Sequence, residues 1–340
     1  MLGKSHAAVG ASGFAISAAT VASLSHNPDY TTPVVVASAA ASAAAIGMSY
    51  VPKNIFAATS APSWVKKRAS FVSSSVRVLG WIIFAIFASV LVGALVYITA
   101  PNLIPVGEAV PLITWALVTA GWALSPDIDE PGSTVSRFLG PVSRTFSKLV
   151  RHVSGGHREM THTWVFVALA FAFGLAASYV GGAFAAVTVA MSVCLSWGIV
   201  APRSLRKYAL VASIAIGALV YWGVDDLSPV VFAISYGTWL HILGDMATKS
   251  GVEFLWPSNR TMGWRSFSTV SIAAKKYEAK KRGKKGPSPM DYYNAYCERV
   301  VVSLYSLVGF VAIIIALAPE SVSVVDTSTA ASIISLLGSF

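Results

Sequence analysis

Residues 78–100 read VLGWIIFAIFASVLVGALVYITA, without one charged side chain. Wound as an α-helix, this run is about 34 Å long, enough to cross the ~30 Å hydrocarbon core of a bilayer. Comparable apolar runs fall at about 7–24, 33–51, 109–125, 163–180, 183–200, 208–223, 229–247 and 299–318. Together they make about nine candidate spans. The Ala/Ser-rich run at 33–51 is the most weakly apolar, and Gly181-Gly182 joins its two neighbours as a tight hairpin. The stretch 332–340 is too short to cross and is expected at the interface. Composition agrees: 55% of residues are hydrophobic and only 12% charged, against about 25% charged in a soluble domain. Mean hydropathy is +0.66. The expected fold is an all-α, polytopic transmembrane helical bundle. The first run follows only Lys4 and shows no small-residue cleavage site, so it reads as a retained helix rather than a signal peptide.

Basic residues set the orientation, because cytoplasmic loops carry the excess of Lys and Arg. Segments 52–77, 126–162, 201–207 and 248–298 hold most of them, among them Lys66, Arg68, Arg144, Arg151 and Arg206. The alternate loops 25–32, 101–108, 181–182 and 224–228 hold no Lys or Arg, but do hold Asp29, Glu108, Asp225 and Asp226. Nine spans then thread with every basic loop on one side, the N-terminus in the cytoplasm and the C-terminus outside. The chain divides accordingly into a transmembrane part, 1–247, a cytoplasmic basic segment, 248–298, and a final span with an outer tail, 299–340. The multi-pass chain is expected in the cytoplasmic (inner) membrane. Cys194 and Cys297 are far apart in sequence and suggest neither a disulfide framework nor a thiolate site.

Nearly all the plausible metal ligands of this apolar chain lie in four short segments: GKSHAAVG around His6, PDIDEP at 126–131, GHREMTH at 156–162 and HILGD at 241–245. Four of the six histidines lie there, beside Asp127, Asp129 and Asp245. Imidazole with carboxylate is the ligand set of zinc, manganese and iron sites. His241 and Asp245 are four residues apart and share one helical face. Asp127 and Asp129 sit on a turn between Pro126 and Pro131; one can ligate while the other orients a ligand. Thr161 is the expected N-cap, placing His162 in the first helical turn. His157 joins the candidate ligands. Arg158 suits an oxyanion, since guanidinium binds phosphate in bidentate fashion. Glu159 is a candidate general base, and Asp129 a further catalytic candidate. By the topology, His6, Asp127, Asp129, His157, His162, His241 and Asp245 all reach the same membrane face; His26 belongs to an outward loop and His152 to a basic segment, and neither is assigned to the site.

These residues carry a resemblance. His6, LSPDIDEP (124–131), GHREMTHT (156–163) and GTWLHILGDMATKSGVEFLWP (237–257) resemble, in order and spacing, the YdjM-like family of LexA-regulated membrane proteins described as metal-dependent hydrolases. The resemblance implies metal dependence and hydrolysis. A more distant similarity is to zinc-dependent phospholipases C and single-strand-specific zinc nucleases, which are all-helical. It implies that Asp127, His162, His241 and Asp245 hold one ion, with His6 and a bridging Asp245 helping to hold a second. No histidine follows His241, so a three-metal centre is not implied.

The resulting expectation is a membrane-bound hydrolase using one or two divalent ions, zinc or manganese, on a lipid or lipid-linked phosphoester. Arg158, and after it Arg260 or Arg265, would hold the phosphate. The basic stretch 269–285 would attract anionic lipid; nucleic acid is its rival partner. A metal or ion transporter is the alternative function, expected to place its ligands near the midplane, and a non-catalytic scaffold is a third. Oligomeric state is not legible in the sequence.

Overall fold

The computed structural model describes residues 3–49, 63–202, 204–224, 226–248, 250–258, 260–264, 276, 279 and 286–317. Arg265, most of 269–285 and all of 332–340 lie outside them. The described residues form ten helices: α1 (Gly3–His26), α2 (Thr31–Ser49), α3 (Ser63–Thr99), α4 (Ala109–Trp122), α5 (Pro141–Val153), α6 (Trp164–Val180), α7 (Gly182–Val200), α8 (Ala209–Gly223), α9 (Ser228–Met246) and α10 (Pro289–Leu317). One isolated β-bridge pairs Val252 with Met262.

Among the described residues, six helices are long and apolar enough to cross a membrane: Ser5–His26, Pro28–Met48, Ser75–Thr99, Ala109–Asp129, Gly182–Val200 and Ala295–Leu317. The run expected at 33–51 is among them. The other three expected runs fold as α6, α8 and α9, with 17, 15 and 19 residues. Helix α9 owes its lower hydropathy to Ser, Tyr, Thr, His and Asp on a length that is almost wholly buried. A helix wrapped by protein can carry polar groups that lipid would expel.

Helix α1 is the axis of the bundle. It packs against α3, α4, α9 and α10, and 83% of its apolar window is buried, whereas α2 lies outside and is 17% buried. The helices approach closely because small residues line the crossings, the packing that apolar surroundings reward. A Cβ on Gly10 of α1 would come within 2.7 Å of Ala123 Cβ at the end of α4. Gly237 of α9 lies directly against the Thr119 carbonyl and Trp122 of α4. Those two contacts draw the ends of α1, α4 and α9 together, and that is where the site lies.

Segment 126–162 reads in sequence as a basic loop, yet it contains α5. Its apolar residues at 142, 146, 149 and 153 recur at helical spacing, with a Pro at the helix start. Segment 248–298 begins with a fold-back: Val252 pairs with Met262, and Trp264 N–H donates to Met246 O at 2.7 Å.

Gly237→Ala should destabilise the protein by about 1–3 kcal/mol through overpacking against α4, although alanine favours a helix by about 1 kcal/mol over glycine. Gly47, with open space around its Cβ position, is the matched control, and Gly47→Ala should be neutral or stabilising. Thermal unfolding in detergent checks both.

Candidate metal centre

Each ligand is delivered by the end of a helix. Asp127 lies in the 3-10 turn Ser125–Asp129 after α4, His162 ends the turn Met160–His162 before α6, and His241 and Asp245 occupy the last turns of α9. Asp127, His162, His241 and Asp245 form a group whose ligand atoms all lie within 4.8 Å of one another, and three of the four residues are buried. His162 Nε2 is 3.2 Å from His241 Nε2. Asp127 Oδ1 is 3.7 Å from the first and 3.6 Å from the second. Asp245 Oδ2 is 3.4 Å from His162 Nε2 and 3.8 Å from His241 Nε2. Two ligands bound about 2.0–2.1 Å from one tetrahedral ion stand about 3.3 Å apart, so these edges fit one ion among four ligands.

The tautomers strengthen the fit. His241 Nδ1 lies 2.8 Å from Ala123 O, a pure acceptor, so Nδ1 carries the hydrogen and Nε2 presents a lone pair. The Thr161 hydroxyl donates to Asp129 Oδ2, so it accepts from His162 Nδ1 at 3.0 Å. The Nε2 of His162 is thereby turned to the group as well. Two lone pairs 3.2 Å apart repel unless a proton or a cation lies between them. Burial disfavours charge on His162, but hydrogen bonds to Asp127 and Asp245 and the charges of Asp245 and Asp129 outweigh it, raising the pKa to about 9. His162 is thus the group that carries a proton into this contact.

The end of α9 is held rigid. Its C-terminal carbonyls lack intrahelical partners and find others: Leu243 O accepts from Trp81 Nε1 at 3.1 Å, Asp245 O from the Thr248 hydroxyl at 2.7 Å, and Met246 O from Trp264 N–H. His241 performs the same service for α4 through Ala123 O, so the ligand is also the helix's cap.

His6 lies beside this group. Its ring stacks on His241 with centroids 3.8 Å apart, and its Nε2 is 3.3 Å from Asp245 Oδ1. It is fully buried, and among the described residues neither ring nitrogen has a hydrogen-bond partner. Asp245 thus turns one oxygen to His6 and the other to the two histidines. The Ser5 hydroxyl donates to Glu298 at 3.0 Å, tying this end of α1 to α10.

Asp129 is fully buried, and its oxygens face another way. They take His157 Nδ1 at 2.8 Å, the backbone N–H of Arg158 at 3.1 Å and the Thr161 hydroxyl. Of the two aspartates, Asp127 joins the ligand group and Asp129 organises the 156–162 loop. His157 belongs to that loop network. Thr161 does not cap α6, contrary to expectation; its hydroxyl serves the buried Asp129. Thr163, extended at φ −121 and ψ 170, caps the helix by accepting from Val165 N–H. Arg158 adopts a left-handed φ of 69, and its guanidinium lies 2.7 Å from Asp245 Oδ2 and 2.9 Å from the Thr248 hydroxyl. The Glu159 carboxylate lies over the Gly155-Gly156 turn. Arg260 is exposed on the fold-back. His26 ends α1, about 30 Å from His6 along the helix, and His152 is exposed on α5. Sequence reading missed Thr248, the Ala123 carbonyl and the Thr161–Asp129 link. A backbone acceptor leaves no trace in residue types, and the hydroxyls are ordinary helix-end residues.

The family model described as YdjM inner membrane protein matches residues 84–203 and 207–320, more than half of the chain. No curated protein matches it, and neither does any solved structure. The match and the six apolar helices make this a multi-pass inner membrane protein with a buried His/Asp group able to hold a metal ion.

Purified protein should bind zinc, and His241→Ala or Asp245→Ala should lower the bound metal well below stoichiometric levels by mass spectrometry, with His26→Ala and His152→Ala unchanged. An ion must also displace the proton held by His162 below a pKa of about 9. Binding should therefore release a proton, and affinity should weaken as pH falls from 8 toward 6.5, read by chelator competition.

Proposed function

The chain belongs to the YdjM inner membrane protein family, and we propose that it is a membrane-bound metal-dependent hydrolase acting on a lipid or lipid-linked phosphoester at the cytoplasmic surface. The observation that carries this reading is the four-ligand group and the level at which it lies. Trp164, two residues after His162, is half-exposed, and its indole N–H donates to Trp256 O at 3.0 Å. At the other ends of α6 and α8, Tyr179 and Trp222 are 94% and 80% exposed. Exposed aromatics at both ends of apolar helices are the signature of membrane interfaces. This supports ligands at headgroup level, where a lipid phosphate is found, rather than at the midplane as a transporter's would be.

The same reading includes nine spans, with α6, α8 and α9 crossing beside the six longer helices, and a cytoplasmic N-terminus from the distribution of Lys and Arg. Asp127, His162, His241 and Asp245 would hold the ion, zinc or manganese; His6 and the Asp245 oxygen facing it would help to hold a second. When bound, such an ion polarises a phosphoryl oxygen and brings the pKa of its water near neutrality. Asp129 positions His162 through Thr161. Arg158 neutralises Asp245, and its guanidinium would bind the non-bridging oxygens of a phosphate. Glu159 braces the glycine turn of the same loop.

Metal-loaded protein in proteoliposomes of mixed lipids should release a phosphoester product identifiable by mass spectrometry. The activity should disappear with a chelator and return with zinc or manganese. Arg158→Ala should reduce turnover at least tenfold while leaving bound metal intact, because the residue contacts oxyanion rather than ion. Cleavage of soluble nucleic acid alone would move the substrate to that class. Absence of cleavage in both classes, with metal bound, would overturn the hydrolase reading.

A further inference from the structure

Helix α5 is amphipathic the wrong way round for a helix covering a protein core. A surface helix normally turns its apolar stripe inward. Here the stripe against the body is polar: Ser147 is buried, Ser143 donates to Ser136 O at 2.8 Å, and Ser154, just past the helix end, donates to Gly156 O at 3.0 Å. The apolar stripe points away from the protein. Val142, Phe146, Leu149 and Val153 are 71%, 52%, 57% and 67% exposed. Their spacing of four, three and four residues keeps them on one face.

The third stripe is basic. Arg144, Lys148 and Arg151 each follow the apolar stripe by two residues, about 200° around the helix. All three are exposed, and Arg151 is paired with Glu130 at 2.9 Å. An apolar face opposed by a Lys/Arg face is the pattern of a helix lying in the plane of a membrane interface.

The position of α5 matches that pattern. It packs on the turns Ser125–Asp129 and Val135–Arg137, at the end of the bundle where α4 stops and α6 starts. Trp164, which begins α6, is half-exposed at that end. The occupant consistent with these observations is the bilayer that the bundle already crosses, in its anionic form because the opposing stripe is cationic.

We propose that α5 is an interfacial helix seated in the headgroup layer of an anionic leaflet. Its apolar stripe reaches the acyl boundary and its basic stripe engages lipid phosphates. The helix joins PDIDEP to GHREMTH, so its depth also sets the depth of Asp127 and His162. This inference rests on the membrane location of the chain and not on hydrolysis, so either can fail without the other.

The test uses full-length protein carrying Cys194→Ala and Cys297→Ala, reconstituted in phosphatidylethanolamine/phosphatidylglycerol vesicles. Nitroxide labels are placed one at a time through Phe146→Cys, Leu149→Cys, Arg144→Cys and Lys148→Cys. Labels at 146 and 149 should be severalfold more accessible to oxygen than to a water-soluble nickel chelate, and labels at 144 and 148 the reverse. Equal nickel accessibility at all four positions would overturn the proposal by placing the apolar face in water. Shielding of 146 and 149 from both reagents would overturn it in favour of a second copy or another protein. Arg144→Glu combined with Lys148→Glu should raise nickel accessibility at 146; no change would overturn the role of anionic lipid. Circular dichroism of each labelled variant confirms that the bundle remains helical.

Discussion

The site depends on a repulsion that something must neutralise. His162 and His241 each spend the Nδ1 hydrogen elsewhere and aim Nε2 at the other across 3.2 Å. In a buried pocket such a contact is unfavourable unless a proton or a cation occupies the gap. Asp127 and Asp245 on either side make positive charge there favourable. The partners that lock the tautomers, the Ala123 carbonyl and the Thr161–Asp129 pair, are as essential to this arrangement as the ligands themselves.

The helix packing brings those partners within reach. Gly237 lets α9 meet the backbone of α4, and Gly10 lets α1 approach the end of α4 at Ala123. One turn along α9 from Gly237, His241 then reaches the Ala123 carbonyl. Hydrogen bonds from Trp81, Thr248 and Trp264 hold the last turn of α9, and Asp245 sits within it. The structural use of small residues and the placement of the ligands are therefore the same feature seen at two scales. A buried carboxylate in an apolar bundle is costly. Asp245 is accommodated because Arg158, His6 and two further histidines surround it.

In the proposed reading, the polar end of the bundle is also its interfacial end. Trp164 lies two residues from His162, and α5 bridges the segments that deliver Asp127 and His162. The aromatic ring, the exposed apolar stripe and the basic residues around it share one level. If the proposed chemistry on a lipid phosphate holds, that coincidence would put the His/Asp group at the level of the substrate, without requiring the lipid to leave its leaflet.

Much of this was legible in the sequence. Run length and the absence of charge specified membrane-spanning helices, because lipid imposes a length and forbids unpaired polar groups. The i,i+4 spacing of His241 and Asp245 put both on one face, since helical geometry is local. The loop alternation led to the expectation of four distant segments at one membrane face, and residues of all four do meet in the bundle. Other features had no local signature. Which aspartate of PDID joins the His/Asp group was decided by the His157, Arg158 and Thr161 groups that surround Asp129. The capping role passed from Thr161 to Thr163 because a buried carboxylate claimed the first hydroxyl. Helix α5 was hidden because its apolar residues are few and separated by Arg, Ser and Lys, and its polar stripe faces inward against expectation. Composition and period are properties of a chain in a solvent, so the sequence carries them alone. Tautomer, ligand choice and the direction a helix faces depend on which groups meet, and only the packed bundle determines that.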